Sequence, residues 1–393
     1  LSGRGGTEVK IAIDISPLAT RKRTGIPNYI FNLCQNLPIA DENNKYLLFG
    51  ASFGYYQSLQ AATKEMRINK HPNVSTRISR VPRAALRLMW KYMHVPSAER
   101  LVGDIDIFHA SHRMPPPSKK ARLVVTIHDL TPIKFPVYHT KKMIDHYTSD
   151  IPQSIKKADM VIAVSNCTKN DILEHFDIAE ERVRVTPEAA NDNYKQISDK
   201  HAIDKVKGIY DIDKDYILFV GTLEPRKNLV NLLKAYSILP DYLKRDYALV
   251  LCGKKGWYYE EIFETVRELK LENKVIFTGY VPDKDIPLLM NGAAVFVYPS
   301  FYEGFGLPPL EAMACGTPVI STNVSSIPEV VGDAGILVSP TDVEELSDAM
   351  LRVLDNETLK AQLSEKGLKQ ASKFSWRATA EKTVELYNEV GSP

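Results

Sequence analysis

The amino-acid sequence predicts an α/β protein of two doubly wound, parallel-sheet domains in tandem. Short β-branched runs alternate with helical stretches along the whole chain, the grammar of βαβ units with right-handed crossovers. Several runs, such as Asp159-Met-Val-Ile-Ala-Val-Ser165 and Tyr216-Ile-Leu-Phe-Val-Gly221, are apolar almost throughout, as strands buried on both faces of a parallel sheet must be. A length of 393 residues exceeds one core at about 150 residues per domain.

In chain order, the first half offers strands at Val9–Ile15, Tyr46–Phe49, Ile105–His109, Leu123–Ile127, Met160–Val164 and Val183–Val185. The second half offers Tyr216–Val220, Ala248–Cys252, Lys274–Thr278, Val295–Tyr298, Val319–Thr322 and Ile336–Val338. Helical patterns such as Lys227–Leu239, Tyr258–Lys270 and Pro308–Cys315 lie between strands. Residues Asp192–Asp215 are polar and read as the linker, which places the first domain over 9–195 and the second over 196–374. A last helix, Trp376–Val390 within 375–393, follows the second domain's final strand and is expected to return to the first domain. The leader Leu1–Glu8 has no apolar stretch and is set aside.

Composition narrows the function classes. Hydrophobic residues are 44% and charged residues 25%, the profile of a globular protein, and no apolar run approaches the roughly 20 residues of a membrane span. The net charge of +2 divides unevenly: residues 1–200 hold 29 Lys and Arg against 20 Asp and Glu, and residues 201–393 hold 21 against 28. A basic first half suits anionic lipid or a phosphorylated ligand; nucleic acid is disfavoured, since no zinc-knuckle spacing, RNP-like aromatic motif or long basic tract occurs. Cys34, Cys167, Cys252 and Cys315 are widely spaced with no C-x-x-C, so reduced thiols and a cytoplasmic location are expected.

Four stretches carry chemistry, each just after a strand, where open α/β sheets bind ligands. The first is the loop ending at Gly25, before a helix with Pro27 at its N1 position; its backbone N–H groups suit an anion or a sugar oxygen, and no G-x-G-x-x-G fingerprint is present. The second is Val124-Val-Thr-Ile-His128-Asp129-Leu-Thr-Pro132, with His112 in the equivalent place one strand earlier. The third is Gly221-Thr222-Leu-Glu-Pro-Arg226-Lys227-Asn. Two cations at a helix start oppose the macrodipole by roughly 0.3–1 kcal/mol each, a cost that a bound phosphate reverses. The fourth is Glu303-Gly304-Phe305-Gly306-Leu307-Pro308-Pro309-Leu-Glu311, a Gly-rich turn into a Pro-started helix. Its two carboxylates can each accept paired hydroxyl donors, as a sugar or ribose diol requires.

The E-x7-E spacing of Glu303 and Glu311, with Gly-Phe-Gly-Leu-Pro between, resembles the motif of the large retaining glycosyltransferase family 4, whose members have the GT-B fold of two Rossmann-like domains facing a cleft. The likeness extends to the Gly25 loop, His128-Asp129, the Gly221–Asn228 segment, Gly279-Tyr-Val281 and the final helix. Within the family, Thr-Ile-His-Asp-Leu-Thr-Pro and Gly-Thr-Leu-Glu-Pro-Arg-Lys-Asn look most like bacterial polysaccharide mannosyltransferases. The resemblance implies that Glu311 binds the nucleotide ribose and that Arg226 and Lys227 hold the diphosphate. It implies that the Gly304, Phe305, Gly306 and Leu307 amides, with Glu303, hold the donor sugar. His128 would then lie beside the reacting sugar, and Tyr280 and Lys254 near the base. Thr222 stands where many members have Arg, which shifts the phosphate role to Arg226. Pro187-Glu188-Ala189-Ala190 replaces the common Pro-Asn-Gly, and no site role is assigned there.

The expected activity is retaining transfer of a hexose, mannose from GDP-mannose, to a glycan or polyprenyl-diphosphate-linked acceptor in surface polysaccharide synthesis. Fixed cations and amides stabilise the departing diphosphate, so neither metal nor cofactor is expected. The D-x-D triplets at Asp104-Ile-Asp106, Asp211-Ile-Asp213 and Asp213-Lys-Asp215 fall at a strand start and in the linker, away from ligand-binding ends. His112 and Asp129 are candidates for the acceptor side. Arg83, Arg87 and Lys91, spaced i, i+4, i+8, form the basic face of an amphipathic helix that suits peripheral contact with anionic lipid at the inner face of the cytoplasmic membrane. The alternatives are a sugar-nucleotide epimerase or phosphorylase-type enzyme on the same plan, a transferase for a UDP-glucose-type or dTDP-rhamnose donor, and a nucleotide-sugar sensor without turnover.

Overall fold

A computed structural model describes residues 8–20, 25–111 and 114–391. His112 and most of the leader lie outside the described residues, as does the part of the Gly25 loop at 21–24. The chain forms two units. One comprises residues up to Ile133, Lys142–Glu188 and Ser375 onward; the other comprises Lys134–Lys141 and Ala189–Phe374.

The first unit holds a parallel sheet of seven strands: β1 (Lys10–Asp14), β2 (Lys45–Ala51), β3 (Val74–Ser79), β4 (Ile107–Ala110), β5 (Arg122–Ile127), β6 (Met160–Ala163) and β7 (Val183–Val185). Their order is β3-β2-β1-β4-β5-β6-β7. The second unit holds six: β8 (Asp215–Val220), β9 (Tyr247–Cys252), β10 (Val275–Gly279), β11 (Val295–Tyr298), β12 (Val319–Thr322) and β13 (Ile336–Val338), ordered β10-β9-β8-β11-β12-β13. Both are doubly wound, as the alternation predicts. Strand order reverses between β1 and β4, and again between β8 and β11, which makes the carboxyl ends of those strands the ligand-binding positions of each sheet. The central strands β4, β6, β11 and β12 are buried at every position, which calls for apolar residues or, at His109, Ser321 and Thr322, for polar ones with hydrogen-bond partners.

The exception is β3, Val-Ser-Thr-Arg-Ile-Ser, which the apolar-run criterion passes over. It is an edge strand with three exposed residues, so it carries no buried stripe to betray it. The stretch 192–215, expected as linker, contains a helix at Lys200–Ile209, capped by the Asp199 carboxylate on Ala202 N. Its one fully buried side chain is Val206, too narrow a stripe to announce a helix. The helix expected from Lys227 starts at Leu229, because Asn228 takes φ 59° and breaks the path from the short 3-10 turn Pro225–Lys227.

The last helix, Trp376–Gly391, belongs to the first unit and packs on helix Ile26–Ala40. Trp376, Thr379, Ala380, Thr383, Val384 and Tyr387 are buried, a stripe at three- and four-residue spacing that a helix presents on one face. Tyr387 OH lies 2.6 Å from His109 Nδ1, whose Nε2 is 2.8 Å from Thr126 Oγ1. Burial, with His128 nearby, pushes the His109 imidazole down to about 3, so the chain Tyr387–His109–Thr126 is a neutral hydrogen-bonded clasp.

Helix Arg83–Leu88 differs from its sequence reading. Arg83 pairs with Asp14 at 3.0 Å and Arg87 binds the buried Asp150 through Nε at 2.6 Å and Nη2 at 2.8 Å, so these two cations tie the helix to its own unit. Solvent instead meets Leu88, Tyr92 and Met93, which are 54%, 70% and 65% exposed. Among the described residues no helix is long and apolar enough to cross a membrane.

Candidate active site

In the second unit, three glycines sit side by side where β8, β9 and β10 end. Gly221 N donates to Cys252 O, and Gly253 N donates to Gly279 O, each at 2.9 Å. A Cβ on Gly253 would lie 1.7 Å from the Gly221 carbonyl oxygen, so glycine is compulsory there. This close backbone approach aims the loop after β8, carrying Thr222 through Asn228, across the sheet end. Asn228 anchors it by donating to the carbonyls of Pro299 at 3.0 Å and Pro340 at 2.7 Å.

Across the switch point, the loop after β11 brings Glu303 to the cations. Arg226 Nη1 lies 2.7 Å from Glu303 Oε2 and donates to the Tyr302 carbonyl at 2.6 Å, while Nη2 lies 2.8 Å from Glu224 Oε1. Lys227 Nζ lies 2.6 Å from Glu303 Oε1 and donates at 2.6 Å to Tyr298 OH. Two guanidinium or ammonium cations therefore face two carboxylates, a buried cluster of zero net charge. The Lys227 ammonium is lowered from its ordinary range by burial first and by Arg226 second, against the opposing pull of Glu303 and Glu224. Burial alone would raise the Glu303 carboxyl; Arg226 and Lys227 outweigh it and hold the group at about 2.

That depression has a measurable consequence. A carboxyl held below its ordinary 4.5 stabilises the fold above that pH, and the contribution is lost as pH falls from 4.5 towards 2. Urea unfolding between pH 7 and pH 2.5 is expected to show it as an acid-labile component that Glu303→Gln removes. Identical acid slopes in the two proteins would count against the ion cluster.

The Glu303 loop is held from three sides. Glu303 N donates to Ser325 Oγ at 3.0 Å, and Ser326 Oγ donates to the carbonyls of Glu303 and Phe305 at 2.9 and 2.7 Å. Phe305 turns into the interior against Phe374. Gly306 takes φ 110°, and a Cβ there would meet Ile327 Cδ1 at 2.9 Å, before Leu307 opens helix Leu307–Ala314. Segment Lys134–Lys141 also packs in this unit: Tyr138 stacks on Phe301 at 5.2 Å, Phe135 tilts on Tyr302 at 5.2 Å, and Trp257 Nε1 donates to Tyr138 O at 2.6 Å. Glu311, on the helix, interacts with Tyr194, whose hydroxyl is raised well above its ordinary range by burial first and then by the Glu311 and Asp283 charges. Lys254 is exposed and Tyr280 is 36% exposed, both just beyond strand ends.

In the first unit, His128 follows β5. Its Nδ1 lies 2.9 Å from Glu188 Oε1, its Nε2 lies 3.1 Å from Ser111 O, and Tyr29 meets it edge-on at 4.7 Å. Asp129 is a cap, its Oδ1 accepting from Thr131 N at 2.8 Å and Thr131 Oγ1 at 2.7 Å. Gly25 takes φ 51° at the N-cap of helix Ile26–Ala40, where the proline at 27 occupies the first turn.

Thus the structure joins Arg226, Lys227 and Glu303 directly, and Gly25's helix meets His128 through Tyr29. It adds Glu224, Tyr298, Ser325, Ser326, Tyr194 and Glu188, which the sequence reading did not select. Only Ser325-Ser326-Ile-Pro had a usable signal, the strand-end turn into a Pro-started helix already seen at Pro308. Asp106 Oδ2 accepts from Lys10 N and Asp104 Oδ2 pairs with Lys10 Nζ, so that D-x-D is structural. Among the described residues no three His, Cys, Asp or Glu side chains converge as a metal-binding group.

Comparison with known proteins agrees with this geometry. Residues 24–193 match the family described as Glycosyltransferase Family 4, and residues 199–370 match Glycosyl transferases group 1. The chain is 34% identical over 367 residues to O-antigen chain mannosyltransferase B of Escherichia coli, covering 93% of this chain and 96% of that one. It is 33% identical over 274 residues to the serotype-specific mannosyltransferase WbdA of Escherichia coli, covering 68% of this chain and 34% of that longer protein, about a third of its length. In fold it is similar to sucrose-phosphate synthase from Thermosynechococcus elongatus, with a TM-score of 0.74 at 21% identity over 97% of this chain and 99% of that one. Its two Rossmann-like sheets, the strand-end glycines and the E-x7-E pair are those of a GT-B enzyme, and the chain belongs to the family 4 glycosyltransferases.

Proposed function

We propose that this glycosyltransferase is a retaining, metal-independent mannosyltransferase that uses GDP-mannose and extends a glycan or polyprenyl-diphosphate-linked saccharide in surface polysaccharide synthesis. The observation that carries the reading is the Glu224–Arg226–Lys227–Glu303 cluster at the β8/β11 switch point, in a chain similar along 93% of its length to an O-antigen chain mannosyltransferase.

The chemistry follows from the cluster's neutrality. A diphosphate meeting Arg226 and Lys227 takes over the donors that Glu303 occupies, and the released carboxylate then accepts from hydroxyls of the sugar. Negative charge developing on the diphosphate as the glycosidic bond breaks is met by cations already in place, which lowers the barrier without solvent reorganisation. The leaving phosphate takes the acceptor's proton. Glu311 holds the ribose, with Tyr194 orienting it; Gly304–Leu307 amides and Gly25 border the sugar; Lys254 and Tyr280 lie toward the base; Asp129 belongs to the acceptor side. The protein acts in the cytoplasm, and the exposed Leu88, Tyr92 and Met93, with Lys91, make peripheral contact with the membrane that carries a lipid-linked acceptor.

Thermal-shift measurements across a panel of nucleotide sugars test the donor. GDP and GDP-mannose are expected to raise Tm, followed by mannose transfer to a polyprenyl-linked saccharide in the presence of EDTA. Shifts with UDP or dTDP compounds and none with GDP compounds would defeat the mannose assignment. Conversion of the nucleotide sugar to an isomer without acceptor would identify an epimerase instead.

A further inference from the structure

His128 and Glu188 follow different strands, β5 and β7, yet meet at the same sheet end of the first unit. Glu188 is 5% exposed, and its Oε1 is 2.9 Å from His128 Nδ1. A buried carboxyl needs a hydrogen-bond partner, and here the imidazole is that partner. The opposite ring nitrogen, Nε2, faces the Ser111 carbonyl oxygen at 3.1 Å. A carbonyl accepts and never donates, so Nε2 carries hydrogen; where the Glu188 carboxylate is the acceptor, Nδ1 carries hydrogen as well. A ring held by two acceptors has no lone pair left with which to take a proton. Tyr29, edge-on at 4.7 Å, stops the ring from turning away.

Glu188 is itself placed by the last helix. Thr379 Oγ1 donates to the carbonyl of Pro187 at 2.7 Å, and Thr186 N donates to Ala163 O at 2.9 Å, which fixes the backbone on the approach to Glu188. Placement thus runs from helix Trp376–Gly391 through Pro187 to Glu188, and from Glu188 to the ring.

We infer that Glu188 is a positioning residue for the transfer reaction: it holds the His128 imidazole as a fixed double donor, and this rules the ring out as a general base. The inference rests on the reading that His128 borders the reacting sugar. It explains why a buried glutamate occupies a turn where small neutral residues would cost less to bury.

The test combines a spectroscopic and a kinetic measurement on the full chain. In protein carrying 15N-labelled histidine, the His128 signals, assigned by their loss in His128→Asn, are expected to show both ring nitrogens bearing hydrogen. Glu188→Ala and the conservative Glu188→Gln are each expected to convert one nitrogen to the bare form. Glu188→Ala is expected to lower kcat for sugar transfer by about 10- to 150-fold, the equivalent of one charge-assisted hydrogen bond, with donor KM nearly unchanged. Glu188→Gln, which keeps a partner at Nδ1, restores part of that loss. A bare ring nitrogen in the unsubstituted protein, or a His128 spectrum indifferent to both substitutions, overturns the inference. So does a changed spectrum with unchanged kcat. The spectroscopic arm needs no donor, so absence of transfer by the unsubstituted protein condemns the proposed function and leaves the hydrogen positions to be judged on their own.

Discussion

Replacing Lys227 or Arg226 by Ala is expected to weaken GDP binding by about 10- to 150-fold for each cation while leaving guanosine binding within about twofold, the difference being one charge-assisted hydrogen bond of about 1.5–3 kcal/mol. The asymmetry follows from placement. Both cations lie on the 3-10 turn Pro225–Lys227 after β8, and their reach is confined to the group that meets Glu303. The two substitutions differ in a second respect. Lys227→Ala leaves Glu303 with Arg226 as its remaining cation, and Tyr298 OH loses its bond from the Lys227 ammonium. Arg226→Ala strands Glu224 as well as one Glu303 oxygen. Breaking a buried pair by removing one partner costs about 3–5 kcal/mol, so both proteins unfold at lower urea concentration, Arg226→Ala the more so. Calorimetric titration with GDP and with guanosine, at a temperature where circular dichroism shows both variants folded, separates ligand loss from stability loss. Equal losses for the two ligands would contradict the role assigned to the cations.

The fold was legible because parallel strands buried on both faces are made largely of continuous apolar residues. The central strands announce themselves so, and the half-exposed edge strand β3 does not. The E-x7-E pair and the Arg226-Lys227 step were legible for a related reason: glycines, a double proline and adjacent cations are poor choices for a solvated turn. Their mutual pairing was not legible. Glu303 and Lys227 are 76 residues apart and meet through the switch in strand order, which no local pattern encodes. Glu188 was hidden the same way, 60 residues from His128 and in a turn that departs from the family's usual residues. Asp129 carries a local task that its position did not announce. Its position after a strand suggested the acceptor, while its Oδ1 is engaged in capping Thr131, a local bond that an Asp two residues before a Thr makes readily.

The basic helix is where sequence and structure part most sharply, and Arg87→Ala decides between them. A solvated cationic face predicts that this substitution weakens binding to anionic vesicles and leaves stability unchanged. The structure predicts the reverse. Arg87 grips Asp150 in fork-to-fork geometry, and Asp150 is 1% exposed, with Ser149 Oγ at 2.8 Å and His146 Nδ1 at 3.2 Å as its remaining partners. Burial would raise the Asp150 carboxyl; Arg87 and its neighbours lower it instead, so a charge is held in the interior. Removing Arg87 leaves that charge without its bidentate partner and is expected to cost about 3–5 kcal/mol. The double variant Arg87→Met with Asp150→Leu takes both charges out and is expected to recover most of the loss, since a well-packed apolar pair replaces a buried ion pair at little cost. Vesicle binding, measured by cosedimentation, is then expected to follow Leu88→Ser and Met93→Ser, because those side chains face solvent and Arg87 does not stand free to meet lipid. Full stability of Arg87→Ala would mean that the helix turns its cations outward in solution.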